Sequence, residues 1–192
     1  MYLFSNNLRL ALIIFFFLPA YLLVAQEEDD KIITAFGINY SDDFTEWGLF
    51  GNEDEPSGFL KMRWQVQKDW TEWDFRIGEI TGQIKLRNKN DPNIWELRSS
   101  GKVLTMKTIY PNDFNQWRIT DDTYTIKYST KYMNIYDGWE MNGSNAGKFE
   151  IYTQWEMDPR DWIVNDKATL RVTFPFKIAM VFLSSFYSSP KY

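Results

Sequence analysis

The chain has 192 residues, 18% of them aromatic, a net charge of -5, and neither cysteine nor histidine. Disulfides, thiol nucleophiles, Ser-His-Asp triads, His-based zinc sites and a lipid-modified N-terminal cysteine are thereby excluded. The acidic balance, with no basic cluster, argues against a nucleic-acid partner, and the length suffices for one domain with a real core.

Residues 1–25 read as an export signal. A short polar start carries Arg9, residues 10–24 are almost wholly apolar, and Ala25 precedes the acidic run QEEDD. This is the order of a secretory signal and its cleavage site. An uncleaved anchor is the alternative, but the apolar run falls short of the roughly 20 residues that span a bilayer. The expected destination is the periplasm or the cell exterior, with no membrane span once the signal is removed. Residues 26–40 then form an acidic lead-in.

From residue 41 the tryptophans keep a frame. Trp47, Trp73, Trp95, Trp117, Trp139 and Trp162 are separated by 26, 22, 22, 22 and 23 residues. Asp precedes five of them by four positions, as Asp43, Asp69, Asp91, Asp113 and Asp158; Ile135 stands there in the fifth unit. Three residues before each Trp lies an aromatic or a proline: Phe44, Trp70, Pro92, Phe114, Tyr136, Pro159. An apolar residue follows each Trp by two. A fixed period of this length marks a tandem supersecondary unit.

Each unit predicts a β-hairpin. After the Trp strand comes a turn containing Gly58, Gly82, Gly101 or Gly147, or the pairs Asp121-Asp122 and Asn165-Asp166. Alternation of period two then resumes, as in Leu60, Met62 and Trp64 or Phe149, Ile151 and Thr153. Helical spacing is absent beyond the signal. The segment KIAMVFLSSFY (177–187) reads as the last strand, with its final aromatics as a possible sorting tail, so the six-hairpin domain is expected over 41–183 with a tail at 184–192. The fold class is all-β, an antiparallel meander of about twelve strands closed into a barrel or flattened into a sandwich; an open curved sheet is the alternative.

On the Trp strands the outer face carries Glu46, Glu72, Asp74, Glu96, Gln116, Arg118 and Glu140. On the return strands it carries Lys61, Arg63, Lys85, Arg87, Lys107, Lys127, Lys148 and Arg171. Mostly acidic and basic strands should therefore alternate and pair across the sheet, each pair contributing about 0.2–1 kcal/mol. The opposite face is apolar on every strand, including Leu170 and Val172, and must be hidden.

The pattern Trp-x-apolar, turn, Gly-x-apolar, seen in YDGWEMNGSNAGKFEIY (136–152), resembles MORN-type hairpin repeats over roughly residues 43–175. The glycines those repeats place before the aromatic are missing from most units. Such repeats build meandering antiparallel sheets and serve mainly as interaction or scaffold modules; no residue role is carried over from them.

Chemistry is sparse. Successive Trp strands lie about 10 Å apart, so the row of Asp residues cannot share a calcium ion, and turn-shaping through backbone hydrogen bonds is the expected role of each. The same spacing places Glu46 and Glu72 beyond the separation that glycosidase carboxylates use. The acidic loop NEDEPSG (52–58) has no partner base. No metal or cofactor is expected. The framed Trp residues fit core packing. The rim fits recognition of a glycan or other small ligand, through Phe44, Trp70, Phe114 and Tyr136 beside the turn residues Asp69 and Asp113. A non-enzymatic binding or structural module is therefore expected. A scaffold burying its apolar sheet face on a partner or envelope protein and a carboxylate-dependent hydrolase are the alternatives.

Overall fold

The structure is a computed structural model that describes residues 33–40, 43–51, 56–143 and 145–191. The export signal at 1–25 and most of the acidic loop at 52–55 lie outside the described residues.

Twelve antiparallel strands form a closed up-and-down barrel. They are β1 (Ala35–Ile38), β2 (Glu46–Phe50), β3 (Pro56–Trp64), β4 (Asp69–Ile77), β5 (Ile80–Asn88), β6 (Asp91–Ser99), β7 (Lys102–Thr108), β8 (Gln116–Thr120), β9 (Thr125–Tyr132), β10 (Ile135–Asn142), β11 (Gly147–Trp155) and β12 (Asp158–Ala168). One helix, α1 (Phe174–Ser188), follows. The even strands are the six Trp strands, and all six framed Trp side chains are buried. We call the end of the barrel where the even strands begin the upper end.

Closure comes from the N-terminus. β1 lies in the stretch read as an acidic lead-in, and it pairs with both β12 and β2. Phe36 is aligned with Trp162 on one side and Leu49 on the other. Its ring stacks on Trp162 at 5.5 Å and meets Trp47 edge-on at 5.6 Å. The sixth Trp strand thus takes its return strand from the start of the chain, so the segment after β12 is not needed as a strand.

That segment becomes the helix, which corrects the expectation of a strand over 177–187 and of a tail from 184. Thr173 is the N-cap and Pro175 stands in the first turn, where its missing N–H costs nothing. Every residue from Phe174 to Phe186 is buried. A helix apolar all round needs a complete apolar enclosure, and the barrel lumen supplies it. Phe182 packs edge-on against Trp73 and Trp95, at 5.9 and 4.8 Å. On another side of the helix, Ser184 Oγ meets Tyr128 Oη of β9 at 2.6 Å. The sheet's apolar face is therefore covered by a helix of the same chain.

Several smaller expectations are also corrected. Gly58 and Gly82 stand inside β3 and β5 rather than in turns. Gly82 is opposite Phe75, and a methyl group there would overlap the Phe75 ring and the Arg98 carbonyl oxygen. Asn165 and Asp166 belong to β12, and Leu170 is exposed, because the chain leaves the sheet at Ala168. On the outer face Arg63 bonds Asp74 at 3.1 Å and approaches Glu72 at 3.7 Å. The register aligns Glu46 with Lys61, Lys61 with Asp74, and Lys85 with both Glu72 and Glu96, but the acid–base alternation breaks down at Lys107, Arg118 and Lys127, direct neighbours across β7, β8 and β9.

Asp166 faces the lumen and carries the barrel's buried charge. Lys177 Nζ of α1 lies 2.8 Å from its Oδ2, and both side chains are under 10% exposed. The two meet as an ion pair without an aligned hydrogen bond. Asp166 Oδ1 accepts the Ala168 N–H at 3.1 Å.

Candidate functional site

The Asp-x-x-x-Trp stretch is a bulge at the upper end. Between Asp69 and Trp73, β4 advances four residues while β3 advances only two, from Trp64 to Met62. The same two-residue surplus occurs between Asp91 and Trp95 and between Asp158 and Trp162. The Asp carboxylate holds the surplus in place. Its Oδ1 accepts the N–H two residues on at Thr45, Thr71, Asn93, Asn115 and Arg160, over 2.9–3.1 Å. This is the turn-shaping role expected of Asp. In the fifth unit Ile135 takes the Asp position, yet the register between Ile135 and Trp139 shows the same surplus.

The bulge turns the residue after Asp over the mouth of the barrel, and the tryptophan fastens it there. Trp73, Trp117 and Trp162 each donate their indole N–H to the carbonyl of that residue, Trp70, Phe114 and Pro159, at 2.9–3.0 Å. In the third and fifth units the end of α1 enters the same bond. Tyr187 Oη receives the Trp95 N–H at 3.0 Å and donates to the Pro92 carbonyl at 3.1 Å. Ser188 Oγ does the same between Trp139 and Tyr136, at 3.2 and 2.7 Å. The helix is thus locked into the rim by hydroxyls on two sides.

Most of the rim aromatics are engaged in this closure. Phe44 is buried against Trp47 at 5.9 Å, and Phe114 stacks on Tyr187 at 4.9 Å. Tyr136 is half-buried, 5.8 Å from Trp139. Asp113 is held by Asn115, whose Nδ2 reaches it at 2.9 Å. Asp69 is held by Thr71 and by Lys89 Nζ at 2.9 Å.

These bonds favour the charged form of the Asp69 carboxyl. The Thr71 hydroxyl bond, then the Lys89 ammonium, lower its pKa from 3.8 to about 2. Asn93 acts in the same direction on Asp91, and Arg160 on Asp158. A depressed carboxyl pKa stabilises the fold above the unfolded value and ceases to do so as pH falls through the folded one. Asp69→Asn keeps the turn acceptor and removes the charge. Its stability deficit against the parent chain is expected to be full above about pH 5 and to close as pH falls through about 2, read from urea midpoints across that range.

Two rim aromatics border a cavity, Phe44 from a buried position and Trp70 from a half-buried one. Phe44 and Trp70 line a cavity of about 300 Å³ together with Asp43, Thr45, Gln65, Lys68 and Pro190. The β1–β2 and β3–β4 turns build its walls, and Pro190, just past α1, closes one side. Lys68 has a left-handed backbone (φ 51°), which turns the chain sharply at this wall. Gln65 Nε2 reaches Thr45 Oγ1 at 3.4 Å across the cavity edge. Phe114, Tyr136, Asp69 and Asp113 are not among the lining residues. Gln65 and Lys68 were not foreseen from the sequence, although strand parity alone puts their turn at the end where the Asp turns lie. Nothing in the sequence pointed to Pro190.

No family model, curated protein or solved structure matches this chain. The chemistry of the site therefore rests on its own geometry. Among the described residues no three acidic side chains converge as a metal would require, and no helix is long and apolar enough to cross a membrane. The cavity combines two aromatic rings, a carboxylate, an amide, a hydroxyl and an ammonium. Such a set can hold a small ligand with one apolar face and several hydroxyls. Its volume is at the small end of the range typical of ligand sites.

Proposed function

We propose that the protein is an exported, non-enzymatic binding module that takes a small polyhydroxylated ligand, a mono- or disaccharide unit, in the cavity between Phe44 and Trp70. The supporting observation is the lining itself. The half-buried Trp70 ring offers apolar surface to the C–H side of a sugar, and Asp43, Gln65 and Lys68 offer acceptors and donors to its hydroxyls. Export, to the periplasm or the cell exterior, rests on the residue pattern of 1–25.

Titration calorimetry with a panel of neutral mono- and disaccharides tests the reading. At least one member is expected to give saturable heat and to change tryptophan emission. Gln65 and Lys68 are exposed, so Gln65→Ala and Lys68→Ala should each weaken binding about threefold to tenfold with the melting temperature unchanged. Absence of saturable binding across the panel, or binding indifferent to both substitutions, would sink the proposal.

A further inference from the structure

The two ends of the barrel are built from the same kind of hairpin, yet their tips differ in chemistry. At the lower end the described tips include Gly78-Glu79, Ser100-Gly101 and the Asp121–Tyr124 turn, where Tyr124 is tucked against Phe176. At the upper end Tyr40 and Tyr110 are exposed on two turns, and three further tips each hold a pair of large apolar side chains in solvent. Trp64 and Val66 stand at β3–β4, Tyr132 and Met133 at β9–β10, and Trp155 and Met157 at β11–β12. Val66 is 94% exposed, Met157 76%, Met133 75% and Trp155 64%. The exposed large apolar residues at the lower end are Val103 and Leu170 among the described residues, and neither stands at a hairpin tip.

We infer that the upper end of the barrel docks on the interfacial layer of a zwitterionic phospholipid bilayer. The apolar residues stand on separate tips spaced around a ring. Such a surface meets a flat, deformable phase at several points at once, whereas a protein partner would need a matching socket for each tip. The residue types agree, because Trp and Tyr favour the headgroup level and Val and Met enter the acyl boundary. Charge agrees as well. Lys68 and Lys131 are exposed at two of these tips, within reach of phosphates. Of the carboxylates beside the tips, Asp69 is paired with Lys89 and Asp158 with Arg160. Glu156 on the third tip and the net charge of -5 disfavour a strongly anionic surface. This surface shares Lys68 and the β3–β4 turn with the sugar cavity, but its other two tips stand apart from it.

The absence of cysteine makes the test clean. Single substitutions Met133→Cys, Met157→Cys and, at the lower end, Leu170→Cys are labelled in the full chain with an environment-sensitive fluorophore and mixed with phosphatidylcholine vesicles. Emission is expected to rise and shift to the blue at 133 and 157 but not at 170. Val66→Ser with Trp155→Ser should lower the bound fraction's partition constant about tenfold or more. An anchor within residues 1–32 would bring all three labels to the vesicle alike, so the contrast with position 170 carries the result. No response at the tips, or an equal response at all three positions, overturns the inference. A photo-cross-link from position 157 to a discrete envelope protein, with vesicles giving no response, overturns it in favour of a protein socket.

Discussion

A chain ending at Thr173 is expected to have no cooperative unfolding transition at all, seen as a flat thermal melt and a lost near-ultraviolet signal from tryptophan. The reason is the size of what α1 fills. Phe174, Phe176, Ile178, Met180, Val181, Phe182, Leu183 and Phe186 are all buried in the lumen. Burying one such side chain fully contributes about 1.5–3 kcal/mol, so eight contribute on the order of 12–24 kcal/mol before ordering costs. A domain of this size has a net stability of only about 5–15 kcal/mol. The six tryptophans would also face an empty or wet lumen, with Trp95 and Trp139 deprived of the hydroxyls that receive their N–H groups. A truncated chain that still melted cooperatively near the parent temperature would show that the barrel stands without its filler.

The second large effect is expected at the lumen charge pair. Lys177→Met leaves the Asp166 carboxylate buried without its cation, and Asp166→Leu leaves the ammonium without its anion. Either change should cost about 3–5 kcal/mol, because a lone buried charge forfeits its hydration without recompense. Lys177→Met combined with Asp166→Leu should recover most of that loss, since an apolar pair of similar volume avoids desolvation altogether. Urea unfolding of the parent, both single variants and the double variant measures this coupling as a thermodynamic cycle. Strict additivity would mean that the two groups do not interact. A charge pair in a lumen lined mostly by rings and aliphatics also has a structural use: it fixes the rotation and depth of α1 against β12.

The barrel walls were legible because the information lies in short-range alternation. Trp73 and Phe75 point inward while Glu72 and Asp74 point outward, and the repeated Asp announces the turn before each such strand. Closure followed from the sheer number of apolar strand faces that needed cover. The helix was not legible by period. The run FPFKIAMVFLSSFYS is enclosed on all sides, so it has no polar face and shows no helical spacing. Two local signs were nonetheless present: Thr173 with Pro175 is a helix start, and the apolar run is longer than these strands. β1 was missed for the opposite reason. AFGI is short and falls outside the tryptophan frame, and only the need to complete the sixth unit reveals it.

At the rim, the turn-forming role of Asp was legible, but the sequence treated the four aromatics as equivalent ligand-binding candidates. They differ because the neighbours of each differ. Tyr187 covers Phe114 and Ser188 ties down the Tyr136 carbonyl. Phe44 and Trp70 instead border the gap between the first two upper turns. That difference depends on where the helix ends, which no local pattern encodes.

The position of α1 in the chain has a consequence for synthesis. The strand that closes the wall, β1, is made first, and its partner β12 appears more than a hundred residues later. The fifteen residues of α1 are made only after β12. Until they leave the ribosome, the nascent chain is a sheet with its tryptophan face uncovered, and the register across β1 and β12 has nothing to close around. Folding of this domain is therefore expected only once α1 has left the ribosome, so the wall stays open and threadable while its strands are being made.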